Sequence, residues 1–147
     1  MDSYRILVAE DEPHIREGLI DILEGEGYRV KAAGDGIAAL QLSEEGRFDL
    51  ALLDLSMPDV RGFDGLLQLR TRYPRLPVVI VSGYEDAKVI SEALSYGAAG
   101  FIPKSSSLPQ MVEAIAAILA GDSWAPDVPE ADDDLAGRVA SLTPSQL

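Results

Sequence analysis

The chain has no cysteine, one histidine, one tryptophan, and 12 basic residues against 25 acidic ones. Without cysteine there is no disulfide framework and no thiolate metal site, and a lone histidine cannot build the imidazole clusters that softer metals favour. The net charge of −13 repels a phosphate backbone, so this chain by itself is not expected to bind DNA. No apolar run approaches the roughly 18 to 20 residues that cross a bilayer. The opening MDSYRILVAE lacks the basic start and long apolar stretch of a secretory signal. A cytoplasmic protein with no membrane partner is the expectation.

What is present is ordinary globular material, 47% apolar and 25% charged, in 147 residues. That length buries one core plus a remnant rather than two full domains. The remnant lies at the end. Asp122, Asp127, Glu130, Asp132, Asp133 and Asp134 follow residue 120 with only Arg138 to offset them, and few large apolar groups accompany them, as in a solvated linker. We expect a domain over 1–121, an acidic linker over 122–139 and a separate fragment over 140–147.

Within the domain, short apolar runs at 6–9, 50–53 and 78–81 fit strands covered on both faces. The segment 28–32, YRVKA, alternates apolar and basic residues as an edge strand does, and 100–102 is a shorter fifth candidate. Between them run helical periods. Pro13 suits a first helical position, and Ile15, Leu19, Ile22 and Leu23 then share one face until Gly25 and Gly27. Further helices are predicted over 38–45, 63–73 and 87–96, and a fifth around Met111, Ile115, Ile118 and Leu119, ended by Gly121. Five alternations of strand and helix imply a parallel, doubly wound α/β sheet with helices on both faces. In such sheets chemistry sits beyond the carboxyl ends of the strands, where strand order reverses.

At those ends stand Glu10 and Asp11 after the first strand, Asp54 after the third, Ser82 and Gly83 after the fourth, and Lys104 after the fifth. Three carboxylates in one crevice repel one another unless a positive charge sits among them. An oxygen-only donor set suits a hard ion, Mg²⁺ or Mn²⁺, and Lys104 supplies a second positive charge. An aspartate is a weak nucleophile toward phosphorus, but a metal and a lysine can neutralise the phosphoryl oxygens and hold the attack in line.

The strings ILVAEDEP, LLDLSMPDVRG, VVIVSGY and GAAGFIPKS, in this order over about residues 4 to 121, resemble the receiver domains of two-component response regulators. The resemblance implies a flavodoxin-like (βα)5 fold, a five-stranded parallel sheet in the order 2-1-3-4-5. It implies Asp54 as phosphoacceptor and a metal held by Asp11, Asp54 and the Ser56 backbone carbonyl, with Glu10 binding directly or through water. Lys104 becomes the phosphoryl-binding lysine, Ser82 the hydroxyl that follows the phosphoryl group, and Phe101 an aromatic switch that turns inward with it. Ser56 and Tyr84 become residues that tune phosphate lifetime. Glu10 stands where many members have aspartate, Ser82 where threonine is commoner, and Phe101 where tyrosine is frequent.

The implied partners are a sensor histidine kinase and a second copy, docked on the face of the fourth helix, fifth strand and fifth helix or on a neighbouring helix face. Leu142-Thr143-Pro144 resembles the opening of the helix-turn-helix domain in regulators of the NarL/LuxR type, which implies a chain truncated at the start of that domain and DNA binding only through its missing remainder. The expected role is transcription control rather than an enzyme's, the only catalysis being self-phosphorylation and dephosphorylation. The alternatives are a stand-alone phosphorelay or docking receiver, and an aspartyl-phosphate hydrolase. The hydrolase requires an acid two residues after its nucleophile, where this chain has Ser56. Glu10 and Asp11 are also expected to cap the first helix, His14 to be an exposed first-turn residue, and Trp124 to pack against the end of the last helix.

Overall fold

The structure, a computed structural model, describes residues 4–126 apart from 58, 60 and 85. Ten elements alternate along the chain: β1 (Arg5–Ala9), α1 (Pro13–Gly25), β2 (Arg29–Ala33), α2 (Gly36–Ser43), β3 (Leu50–Asp54), α3 (Asp64–Arg72), β4 (Val78–Ser82), α4 (Ala87–Ser95), β5 (Gly100–Pro103) and α5 (Leu108–Leu119). All strand pairs are parallel and the order is β2-β1-β3-β4-β5, as expected.

The period-two rule sorts the strand side chains into two cores. Ile6, Val8, Leu50, Leu52, Val79, Val81 and Ile102 face one way and pack with Leu19 and Leu23 of α1 and Met111, Ala114, Ile115 and Ile118 of α5. Leu7, Ala9, Ala51, Leu53, Val78, Ile80 and Phe101 face the other way and pack with Ala39, Leu66, Leu69, Ile90 and Ala93 of α2, α3 and α4. The central strands β3 and β4 are buried throughout, which is why they read as unbroken apolar runs. At the edge, β2 leaves Arg29 and Lys31 exposed and tucks Val30 and Ala32 against the α1/α5 core.

The helices differ from the sequence expectation mainly at their caps. The α1 cap is Glu12, whose carboxylate accepts from the His14 N–H, rather than Glu10 or Asp11. Those two side chains are turned to the sheet edge. Helix α2 begins at Gly36, two residues before the predicted start, because Asp35 accepts from the Ala38 N–H. Helix α5 starts at Leu108 through a reciprocal capping box between Ser107 and Gln110. It stops where Gly121, at φ +99°, takes the left-handed conformation that a side chain would resist.

Past that turn, residues 122–126 fold back along the free edge of β5. Gly100 bridges Trp124 in parallel and the Phe101 N–H donates to the Trp124 carbonyl at 2.9 Å. The Trp124 side chain packs with the core that holds Ile118, as expected. A Cβ on Gly100 would come within 2.7 Å of both Trp124 O and Ile118 Cδ1, so only glycine fits this strap. The rest of the acidic linker and the 140–147 segment lie outside the described residues.

Candidate functional site

Because β1 connects outward to β2 and the chain then returns past it to β3, the two central loops part at the carboxyl end of the sheet and leave a crevice. Four strands end there. From β1 come Glu10, almost wholly buried, and the partly exposed Asp11. Asp54, 1% exposed, closes β3, and the fully buried Ser82 closes β4. Lys104 follows β5, its N–H donating to the Ser82 carbonyl at 2.9 Å.

One carboxylate oxygen from each of Glu10, Asp11 and Asp54 lies within 4.8 Å of the other two. The Lys104 ammonium enters this group from the far side, 3.1 Å from Glu10 Oε2 and 3.3 Å from Asp54 Oδ1. Two backbone N–H groups complete the frame: Glu12 donates to Glu10 Oε2 at 3.1 Å and Ser56 to Asp54 Oδ1 at 2.9 Å. Each buried acid thus has one oxygen engaged. The other oxygen, Glu10 Oε1 and Asp54 Oδ2, is buried with no hydrogen-bond partner.

The charges are distributed unevenly. Burial lifts the Glu10 carboxyl from 4.5 to about 7, with the Asp54 carboxylate adding to the rise against the pull of the Glu12 N–H and Lys104. Asp11 is raised by its contact with Asp54 and by burial. Burial also opposes the Asp54 charge, yet the Ser56 N–H, the contacts with Asp11 and Glu10, and Lys104 outweigh it and hold Asp54 below the usual carboxylate range. Lys104 is desolvated too, but Glu10 and Asp54 keep its ammonium form favoured. The arrangement therefore favours the charged form at Asp54 and disfavours it at Glu10 and Asp11. Buried carboxylate oxygens without partners are costly. A hard cation that keeps part of its water shell is the ligand whose chemistry satisfies such oxygens, so the donor set fits Mg²⁺ or Mn²⁺.

The remaining predicted residues are spread around this centre. Ser82 Oγ accepts from the Tyr84 N–H at 2.9 Å. Tyr84 and Ser56 have exposed side chains beside the crevice. Phe101 is wholly buried in the core on the α2–α4 side. His14 is exposed. A groove of about 340 Å³ opens between α2 and α3, floored by Leu40, Leu53 and Leu69, and none of the three acids lines it. The acidic crevice is separate from that groove.

Two residues near the site are not evident from the sequence. Asp59, in the loop after β3, accepts from the N–H groups of Gly36 at 2.9 Å and Ile37 at 3.2 Å, tying that loop to α2. Arg16 donates to the backbone carbonyls of Glu10 and Asp11. Both act on backbone atoms, which residue type does not encode.

A family model for the response regulator receiver domain matches residues 6–116. The chain belongs to that family. This receiver domain is 43% identical over 126 residues to the glycerol metabolism activator of Pseudomonas putida, an alignment covering 84% of this chain and 57% of that protein. The chain spans little more than half the length of the curated relatives it matches first, which also include the transcriptional activator protein ExaE of Pseudomonas putida. Among solved structures it resembles a CheY-like receiver domain protein from Methanospirillum hungatei JF-1, at 30% identity and a TM-score of 0.77 over 82% of this chain and 96% of that one. It also resembles a LuxR-family two-component response regulator from Aurantimonas sp. SI85-9A1, at 31% identity and a TM-score of 0.77 over 84% of this chain and 89% of that one. In the receiver domain Glu10 lies in the acidic crevice, Ser82 at the end of β4, and Phe101 in the core on the α2–α4 side.

Proposed function

We propose that this receiver domain takes a phosphoryl group onto Asp54 from the phosphohistidine of a sensor kinase and passes the change to an output, transcription control in the whole protein. The observation that carries this reading is the Lys104 ammonium set between Glu10 and Asp54 while the second oxygen of each acid has no partner. An Asp54 oxygen forms the new bond to phosphorus as the phosphorus–nitrogen bond to the kinase imidazole breaks, and the imidazole, already carrying a proton on its other ring nitrogen, leaves as the neutral ring with the bonding pair. Asp54 is suited to attack because it is held as the anion. Lys104 and the Ser82 hydroxyl are the groups that would meet the phosphoryl oxygens. Glu10, Asp11, Asp54 and the Ser56 carbonyl would hold Mg²⁺ or Mn²⁺, which when bound neutralises charge on the transferring group.

The receiver is read as a switch rather than an enzyme acting on other molecules, with a kinase and a second copy, at the α4–β5–α5 face or a neighbouring helix face, as its partners. The relative named a transcriptional activator protein favours a transcriptional output over a stand-alone relay. The hydrolase reading is disfavoured because the side chain two residues beyond Asp54 is the Ser56 hydroxyl, a poor general acid. Among the described residues no helix is long and apolar enough to cross a membrane.

Incubation with acetyl phosphate and Mg²⁺, read by intact mass, should add one phosphoryl group to the wild type and none to Asp54→Asn. Equal uptake by the variant would overturn the assignment.

A further inference from the structure

The acidic loop between β1 and α1 is held from behind by one side chain that the phosphorylation chemistry does not use. Arg16, half-buried on the first turns of α1, places Nη1 2.9 Å from the Glu10 carbonyl and 3.5 Å from the Asp11 carbonyl. Its own N–H donates to the Glu12 carbonyl at 2.9 Å, so three successive carbonyls of this loop are taken by one residue. On its other side the guanidinium lies against Gly34, where an added Cβ would stand 3.1 Å from Nη1. The arginine is thus lodged between the loop that carries Glu10 and Asp11 and the loop that leaves β2. The Glu10 N–H, donating to the Ala33 carbonyl at 3.0 Å, closes the same seam.

We propose that Arg16 is a positioning residue for the metal: it fixes the backbone of Glu10 and Asp11 so that both carboxylates converge on Asp54. The inference rests on the reading of the acidic crevice as a metal site. Three carboxyl groups with oxygens within 4.8 Å of one another repel to the extent that they are ionised, and Asp11, partly exposed, is the member freest to swing into water. A guanidinium gripping the main chain behind it resists that motion without occupying a ligand position. Partners of this kind, which touch metal ligands rather than the metal, are worth about 10- to 100-fold in metal affinity.

The sign of the effect separates this role from a simple charge. A cationic side chain near a cation site repels the ion, so deleting Arg16 for its charge alone would tighten Mg²⁺ binding. Deleting a positioning residue weakens it. Mg²⁺ titration of the full chain, followed by amide NMR shifts of residues 10–12 and 54–57, should show Arg16→Ala binding about tenfold more weakly than wild type. Phosphorylation by acetyl phosphate should recover as Mg²⁺ is raised, so that the apparent Mg²⁺ requirement changes more than the maximal rate. Gly34→Ala, which crowds Nη1 and keeps the charge, should weaken binding in the same direction by a smaller factor, and it carries the test if Arg16→Ala does not fold. Unchanged or tighter binding in the folded variants would overturn the role of Arg16 while leaving the metal site standing. A wild type that binds no Mg²⁺ would remove the metal reading itself and this inference with it.

Discussion

Two buried polar places in this molecule have opposite fates. Ser43, at the end of α2, is shut away from water, and its hydroxyl donates to the Leu40 carbonyl at 2.6 Å. At the carboxyl edge of the sheet Glu10 and Asp54 are as deeply buried, yet each keeps one oxygen without a partner and both share a single ammonium. The first is a polar group absorbed into the fold. The second is a polar group that the fold holds short of satisfaction, which costs stability and singles this edge out as a candidate site. The strands carry the same contrast along their length: Leu50 to Leu53 of β3 are core, and one residue later the chain delivers Asp54.

The comparison breaks most visibly if the apolar middle is opened. Leu52→Ala, at a site 1% exposed, should cost about 2 to 5 kcal/mol in urea unfolding. A loss below about 1 kcal/mol would mean that the core around β3 collapses onto the gap.

A polar substitution at the edge should act the other way. Folded Glu10 titrates at about 7 and the unfolded chain at 4.5, so between those values the folded state holds a proton that the unfolded state has released. Stability of the metal-free domain therefore falls as pH rises through this window, and the whole cost is present above about pH 7. Glu10→Gln should stabilise the metal-free protein at about pH 8 by at most about 3 kcal/mol and have little effect near about pH 4. With Mg²⁺ the order should reverse at the higher pH, since the metal binds the ionised acid and stabilises the wild type more than the variant. Unfolding midpoints at the two pH values, with chelator and with Mg²⁺, check both signs; a gain independent of pH would show that the Glu10 charge is not the source.

The smallest effect is expected at the strap. Gly100→Ala pushes a methyl toward Trp124 O and Ile118 Cδ1 and should cost about 1 to 3 kcal/mol. Fluorescence of the sole tryptophan should shift to the red as the strap detaches from β5. Unaltered emission with wild-type stability would place the strap outside the cooperative unit.

Much of the architecture was legible in the residues. Continuous apolar runs foretold β3 and β4 because both faces are covered, and the alternating YRVKA foretold an edge strand because only one side of β2 meets the α1/α5 core. The acids and the lysine were legible as strand-end residues. Strand order came from the family resemblance rather than from periodicity, which does not say which strands are neighbours. Glu12 as the α1 cap, Arg16 on two carbonyls, Asp59 on the start of α2 and the Trp124 carbonyl on Phe101 were not legible, because each is a meeting of a side chain or strand with backbone atoms that every residue possesses.

The sequence by itself determined which segments are strand or helix and which chemical groups stand at the strand ends, since side-chain period and residue type are local properties of the chain. Only the tertiary structure decided that residues 10, 11, 54 and 104 meet, that Asp54 keeps its charge while Glu10 loses part of its own, and that two buried oxygens remain open. Those outcomes depend on distances between strands far apart in the chain and on how much water the packed loops exclude, neither of which any single stretch of sequence contains.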